Sequence, residues 1–268
     1  MRYLKLYARF IPIYFKSKTE HGFGFYMDFV GFALSHIVSY AVIWALMSRF
    51  QTINGWNMYE VMIIYTLNMF TYAIAAVFFF FQMNDVEEDV HKGSFDSLLV
   101  KPINPFIHMI IRSFGHFFLG DIVIAILMLG FCFSRLDLHP SLAAYAGFAA
   151  LLLGAVLIQA AFIVITGSMC FWIVRARSVM NVVIFGIRGF ADYPISIYSK
   201  VLRVILTFII PYGFVNFYPS QLILDKESGG SLFASWLPYA TPVVGVILFF
   251  IAYRVWNAGL NRYQGTGS

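Results

Sequence analysis

Apolar residues in this chain run in blocks of helix-spanning length, and polar residues gather between the blocks instead of alternating with them. A helix needs roughly 20 apolar residues to cross a hydrocarbon core, so each block predicts a membrane crossing. Six crossings follow: Tyr26–Met47, Tyr59–Gln82, Phe118–Phe133, Leu142–Trp172, one within Ser178–Leu224, and Leu237–Val255. The fourth is long enough to tilt or protrude. The fifth has two assignments, because Pro194, Lys200 and Arg203 separate two apolar runs, Val179–Tyr193 and Val201–Leu224. No internal repeat, low-complexity tract or linker divides the chain, which reads as one transmembrane domain over residues 1–268.

Composition agrees with an all-α integral membrane protein. The chain is 60% hydrophobic, 19% aromatic and 12% charged, outside the range of soluble domains. Its net charge of +5 does not point to nucleic acid, because the basic residues lie between apolar segments without forming a Lys/Arg stripe. Lipid headgroups account for them better. Cys132 and Cys170 sit in apolar segments without metal-knuckle spacing.

Lys and Arg positions set the orientation. With a cytoplasmic N-terminus the inner side holds Arg2, Lys5, Arg9, Lys16, Lys18, Lys92, Lys101, Arg112, Arg175, Arg177, Arg254 and Arg262, and the outer side Arg49, Arg135 and Lys226. Both termini are therefore expected in the cytoplasm, with the chain in a plasma (inner) membrane. Trp56, Trp172, Trp236 and Trp256 fall at predicted helix ends, as interfacial anchors would.

Three polar segments stand out. Met1–Phe15 spaces Arg2, Lys5 and Arg9 along one side of an apolar stretch, which predicts an amphipathic interfacial helix bent or ended by Pro12; a charged leader is the alternative. After the second crossing, acidic Asp85, Glu87, Glu88 and Asp89, then His91 and Lys92, then Gly93, predict a short helix whose ends complement its dipole. Ser94 is placed to cap a second short turn that stops before Pro102; a plain solvated loop is the alternative. His108, Arg112 and His116 recur every four residues and predict a polar stripe on an interfacial helix, from which the chain turns upward at Gly120. An Arg between two His residues opposes metal binding, so no metal site is assigned.

The motifs of familiar enzyme chemistry do not occur. There is no GxxxxGK[ST] loop, GxSxG elbow or HExxH pair. Four ionisable residues fall near hydrocarbon: Asp28 and Asp121 near helix ends, where water reaches them, and Arg188 and Asp192, four apart, where they can pair or form a polar gate near the outer mouth.

In their order along the chain, these segments resemble the type 2 ABC exporter permeases. The resemblance is carried by the amphipathic start, by Gly93-Ser94-Phe95-Asp96-Ser97-Leu98-Leu99-Val100-Lys101-Pro102, by Phe190-Ala191-Asp192-Tyr193-Pro194-Ile195, by Ile209-Ile210-Pro211-Tyr212 with Tyr218-Pro219, and by Trp256–Tyr263. It implies an exporter subunit that is not itself an enzyme. Such a subunit works with a second permease, identical or related, and with ABC ATPase subunits that carry ATP and Mg. It also implies that the loop after the second crossing is a coupling helix. Phe95, Leu98 and Leu99 are then apolar anchors on the ATPase, beside Glu87, Glu88, His91, Lys92 and Pro102. The proline-marked stretch becomes a re-entrant hairpin on the outer side, with Arg188, Asp192, Pro194 and Pro211 as gate or pathway residues. Two other readings remain: a membrane enzyme acting on lipid-linked substrates, for which an outward Asp192 is the support, and a scaffold subunit.

Overall fold

A computed structural model describes residues 23–138, 142–226 and 236–264, with side chains omitted for 23–30, 32–33 and 142–143. The amphipathic start Met1–Phe15 and the Asp28 side chain lie outside that description. The described residues form helices and no strand. They are α1 (Phe23–Arg49), α2 (Met58–Lys92), α3 (Asp96–Leu99), α4 (Pro105–Arg112), α5 (Phe118–Arg135), α6 (Leu142–Ser168), α7 (Ala176–Asn181), α8 (Lys200–Val204), α9 (Phe217–Ile223) and α10 (Thr241–Arg262). Met58–Lys92, Phe118–Arg135, Ala144–Phe171 and Leu237–Arg262 are long and apolar enough to cross a membrane.

Helix α2 is the mast of the bundle. Its start is fixed by a capping box: Asn57 Oδ1 accepts from the Glu60 amide at 3.1 Å, and Glu60 Oε2 accepts from the Asn57 amide at 2.7 Å. Its end is Gly93, in the left-handed region at φ 72°. Between them run 35 residues, ~52 Å of helix at 1.5 Å per residue, well beyond a ~30 Å hydrocarbon core. The separate short helix expected after Gln82 is instead the last part of α2. Nothing from Gln82 to Lys92 is Gly or Pro, so the helix has no reason to stop until Gly93.

The two candidate runs between Ser178 and Leu224 behave differently. The first starts as α7, winds as a π-helix over Val182–Ile187 and tightens to 3₁₀ geometry over Arg188–Asp192. It begins with the Arg177 side chain donating to the Asn84 carbonyl at 2.9 Å and reaches Asn68 at Asp192. Two residues past Pro194, the Ser196 carbonyl accepts from Asn54 Nδ2 at 2.9 Å. This run therefore follows α2 from its Lys92 end to its Asn57 end. The second run breaks at Pro211 into arms, Lys200–Ile209 and Tyr212–Ile223, bent by 77°. It starts near Ser196 and finishes at Lys226, whose Nζ donates to Glu60 Oε2 at 2.5 Å and also to the Gly55 carbonyl. Both of its ends are tied to the Asn57 end of α2, so it doubles back.

The stripe expected over 108–116 is shorter than its spacing suggested. Helix α4 ends at Arg112, and 113–117 bends so tightly onto α2 that the Gly115 amide donates to the Val77 carbonyl at 2.9 Å. A Cβ on Gly115 would lie 2.9 Å from the Ala76 carbonyl oxygen, so the turn is made here and not at Gly120, which lies within α5. His116 consequently leaves the stripe and stacks on Phe117, ring centroids 3.9 Å apart. The tryptophans divide as well. Trp172 and Trp236 are exposed, as anchors would be, whereas Trp56 and Trp256 are buried inside the bundle.

Helices α6 and α10 meet backbone to backbone. A Cβ at Gly154 would come within 2.6 Å of Pro242 Cα, and one at Gly245 would strike the Gly154 carbonyl. Small residues at such a crossing permit the close packing that holds helices together in lipid. Gly154→Val is expected to force the pair apart and cost about 1–3 kcal/mol or more, read as a lowered melting temperature in detergent. Gly147→Val, where a Cβ meets open space, should melt as the unaltered protein does.

Candidate functional site

Two groups of side chains merit attention, one at the Lys92 end of α2 and one along its middle. At the Lys92 end, Arg112 on α4 pairs with Asp89 and lies 3.6 Å from Asp85, clamping α4 to α2. Ser94 donates to Asp89 Oδ1 at 2.8 Å, so it ties the turn to α2 and does not cap α3 as its position suggested. A cavity of about 440 Å³ opens beside these groups, edged by Glu88, Lys92 and Arg112. On α4, burial together with the Lys101 and Arg112 cations pushes the His108 pKa below its ordinary value, and its Nε2 lies 3.5 Å from Lys101 Nζ.

The residues expected to face an ATPase separate into two sets. Glu88, His91, Lys92, Leu99 and Pro102 are exposed. Glu87, Phe95 and Leu98 are occupied within the chain. Glu87 Oε2 accepts from the Arg177 amide at the start of α7. Phe95 is 0% exposed and Leu98 6%, which corrects their expected role as exposed anchors. The Phe95 ring centroid lies 5.0 Å from that of Tyr263, 5.5 Å from Phe171 and 6.3 Å from Trp256. It thus fastens the α2–α3 turn to the ends of α6 and α10. The apolar surface that remains open is Leu99, 39% exposed, and Val100, 83% exposed. Val100 was missed by sequence reasoning. Its signal was a third apolar residue beside Leu98 and Leu99, which one turn of helix cannot bury together.

Along the middle of α2, Tyr65, Asn68 and Tyr72 share a face at spacings of three and four. His36 on α1 contacts the Tyr65 hydroxyl at 2.9 Å and Asp121 on α5 at 3.1 Å. Asp121 is thus buried and paired, not water-facing at a helix end, because α5 begins deep against α2. Asn68 Nδ2 donates to Asp192 at 2.7 Å, and Gln159 Nε2 donates to Asn68 Oδ1 at 3.0 Å. Arg188 and Asp192 form no contact ion pair. Arg188 sits over the Tyr72 ring at 4.0 Å and donates from Nε to the Ile184 carbonyl at 3.2 Å. At three residues per turn a fourfold spacing turns side chains ~120° apart, so the pairing expected of an α-helix is lost. Pro194 opens the short 3₁₀ turn Ile195–Ile197, and Pro211 is the hairpin's hinge. Asn68 and Gln159 carry no charge and did not stand out in the sequence; an amide within an apolar run is the same kind of signal as an intramembrane charge.

A multi-helix membrane bundle with a separate polar face at one end is the class that the geometry defines. The sequence profile described as ABC-2 family transporter protein matches residues 33–267, and the chain belongs to that family. It is a membrane permease of an ABC transporter, a transport subunit whose family associates with ABC ATPase components. No curated protein matches the chain.

Replacing Phe95 by Ala should cost about 3–5 kcal/mol by leaving a cavity among Phe171, Trp256 and Tyr263, measured by thermal unfolding in detergent. Phe95→Leu, which keeps most of the volume, should recover most of that loss.

Proposed function

We propose that this chain is the permease subunit of an ATP-driven exporter in a bacterial inner membrane. It pairs with a second permease, identical or related, around the translocation path and is driven by separate ATPase subunits that hold ATP and Mg. The observation that carries this reading is the Lys92 end of α2, where one continuous helix ends at Gly93 and leads into a short turn at the end of the bundle. That turn displays Leu99 and Val100 to solvent while Phe95 holds it from beneath. Such a surface has the composition of a docking patch, with a small apolar centre and Glu88, His91 and Lys92 as a charged rim.

In this reading α1, α2, α5, α6, the run 176–192 and α10 are the six crossings. Both termini are cytoplasmic, in accord with the Lys and Arg distribution. The arms at 200–209 and 212–223 measure ~15 and ~18 Å, each too short to cross ~30 Å of hydrocarbon. With both ends at the Asn57 end of α2, they form a re-entrant hairpin from the outer side. ATPase closure moves the α2–α3 turn, and Phe95 passes that motion to the inner ends of α6 and α10.

Because Val100 is largely free and Leu99 is only partly covered, a Leu99→Asp, Val100→Asp double variant should still fold and melt close to the unaltered protein. Its association with the partner ATPase should weaken by about 2 kcal/mol or more, roughly 30-fold. Co-elution of purified permease and ATPase reads the first effect and cargo transport in vesicles the second. Undiminished ATPase binding by the double variant would sink the coupling assignment.

A further inference from the structure

Polar groups buried in a protein are ordinarily paired, and where several unpaired donors gather the missing partner is an acceptor. Such a gathering lies where the run 176–192 passes α2 and the hairpin. The Arg188 guanidinium uses Nε on the Ile184 carbonyl and rests on the Tyr72 ring. Among the described residues its two terminal amino groups, with four N–H bonds, have no hydrogen-bond or ion-pair partner. The hydroxyls of Tyr72 and Tyr212 are buried and likewise unpartnered. The turn Tyr212–Phe214 packs against the segment Arg188–Asp192. Among the described residues, the unpartnered buried acceptors of the surrounding network include the amide oxygens of Gln159 and Asn216.

The charges nearby do not fill the gap. Asp192 is held by Asn68 and stays beyond contact distance of the guanidinium, and Asp121 is turned to His36. Arg188 is only half-buried and so can be reached. Aromatic rings surround it, with Phe162 stacked on the buried Tyr212 at 4.8 Å and Phe185 exposed one turn before Arg188. A group rich in acceptors, joined to an apolar body, matches both halves of this environment.

From this arrangement we infer that Arg188, Tyr72 and Tyr212 form a recognition site for an anionic headgroup, phosphate or carboxylate, of an amphipathic molecule. Arg188 supplies charge and a planar fork of donors, and the two hydroxyls fix the remaining oxygens. Asp192 opposes the ligand's charge and competes for the guanidinium, so it sets how tightly the anion is held. That the bound molecule is cargo rests on the permease reading; that the site binds an anion does not.

The test uses the full chain purified in a non-ionic detergent without ATPase. It is titrated separately with dodecyl phosphate, inorganic phosphate and dodecyltrimethylammonium, and binding is followed by thermal unfolding. Dodecyl phosphate should stabilise the protein saturably, and the cationic amphiphile should not. Tyr72→Phe and Tyr212→Phe remove hydroxyls that have no partner in the fold, so both should melt at or above the unaltered protein without ligand. Each should nonetheless bind dodecyl phosphate about tenfold more weakly. Arg188→Gln should abolish binding, whereas Asp192→Asn should tighten it. A response to inorganic phosphate with the same dependence on these residues supports the anion site and assigns a free ion as its occupant. Equal stabilisation by the cationic amphiphile, or an unchanged affinity in all four variants, overturns the proposal. Loss of ATPase association by Leu99 and Val100 variants would leave this result untouched, so the two readings fail separately.

Discussion

Much of this bundle is positioned by what it can pair with on α2, because in a membrane the polar groups of a chain must find partners within the chain. Asn57 and Glu60 close one end of that helix and Gly93 the other. Between them Tyr65, Asn68 and Gln82 hold α1, the run 176–192, α6 and the turn at Ser113 through side-chain bonds. Lys226 brings the hairpin home to Glu60. The apolar surfaces of the remaining helices give little direction, since lipid tails are as apolar as leucine. Pairing on α2 and the glycine crossing of α6 with α10 supply it instead.

A mast of this length also has a mechanical meaning. A continuous helix transmits displacement from end to end with little loss, whereas a short helix joined by a flexible loop would absorb it. In the coupling we propose, that displacement passes through Phe95, whose ring touches the ends of α6 and α10 together. The π geometry of the described residues lies elsewhere, in the run 176–192 and in the hairpin that breaks at Pro211. Motion is easier to accommodate in those segments, where helical hydrogen bonding is already irregular.

Four of the expected crossings, those within Met58–Lys92, Phe118–Arg135, Ala144–Phe171 and Leu237–Arg262, were legible because a run of twenty apolar residues has few alternatives to a spanning helix. Gly93 was legible for the same kind of local reason, since only a residue at ease with positive φ ends a helix that way. What escaped the sequence depends on neighbours. The polar stretch from Asn84 to Lys92 had the ends of a short helix, but its residues favour helix as well as those before it, so α2 ran on. Phe95 and Leu98 looked like exposed anchors until Phe171, Trp256 and Tyr263 were found covering them. Arg188 and Asp192 were paired on the assumption of α geometry, and the local winding is 3₁₀. The family resemblance supplied the hairpin in place of the straight crossing that the length of Val201–Leu224 also allowed. Bonds from Asn54 and Lys226 favour the hairpin independently.

The account's central claim is that opposite ends of one rigid bundle face opposite sides of the membrane, the coupling turn inside and the hairpin outside. Single cysteines at Lys200 and Val100 test it directly, and the native Cys132 and Cys170 are buried and should stay silent. Labelled with a membrane-impermeant thiol reagent, the Lys200→Cys protein should react in intact cells and not in inverted vesicles. The Val100→Cys protein should react only in inverted vesicles and should be shielded there by the ATPase. Reaction of Lys200→Cys from the cytoplasmic side alone would contradict the account.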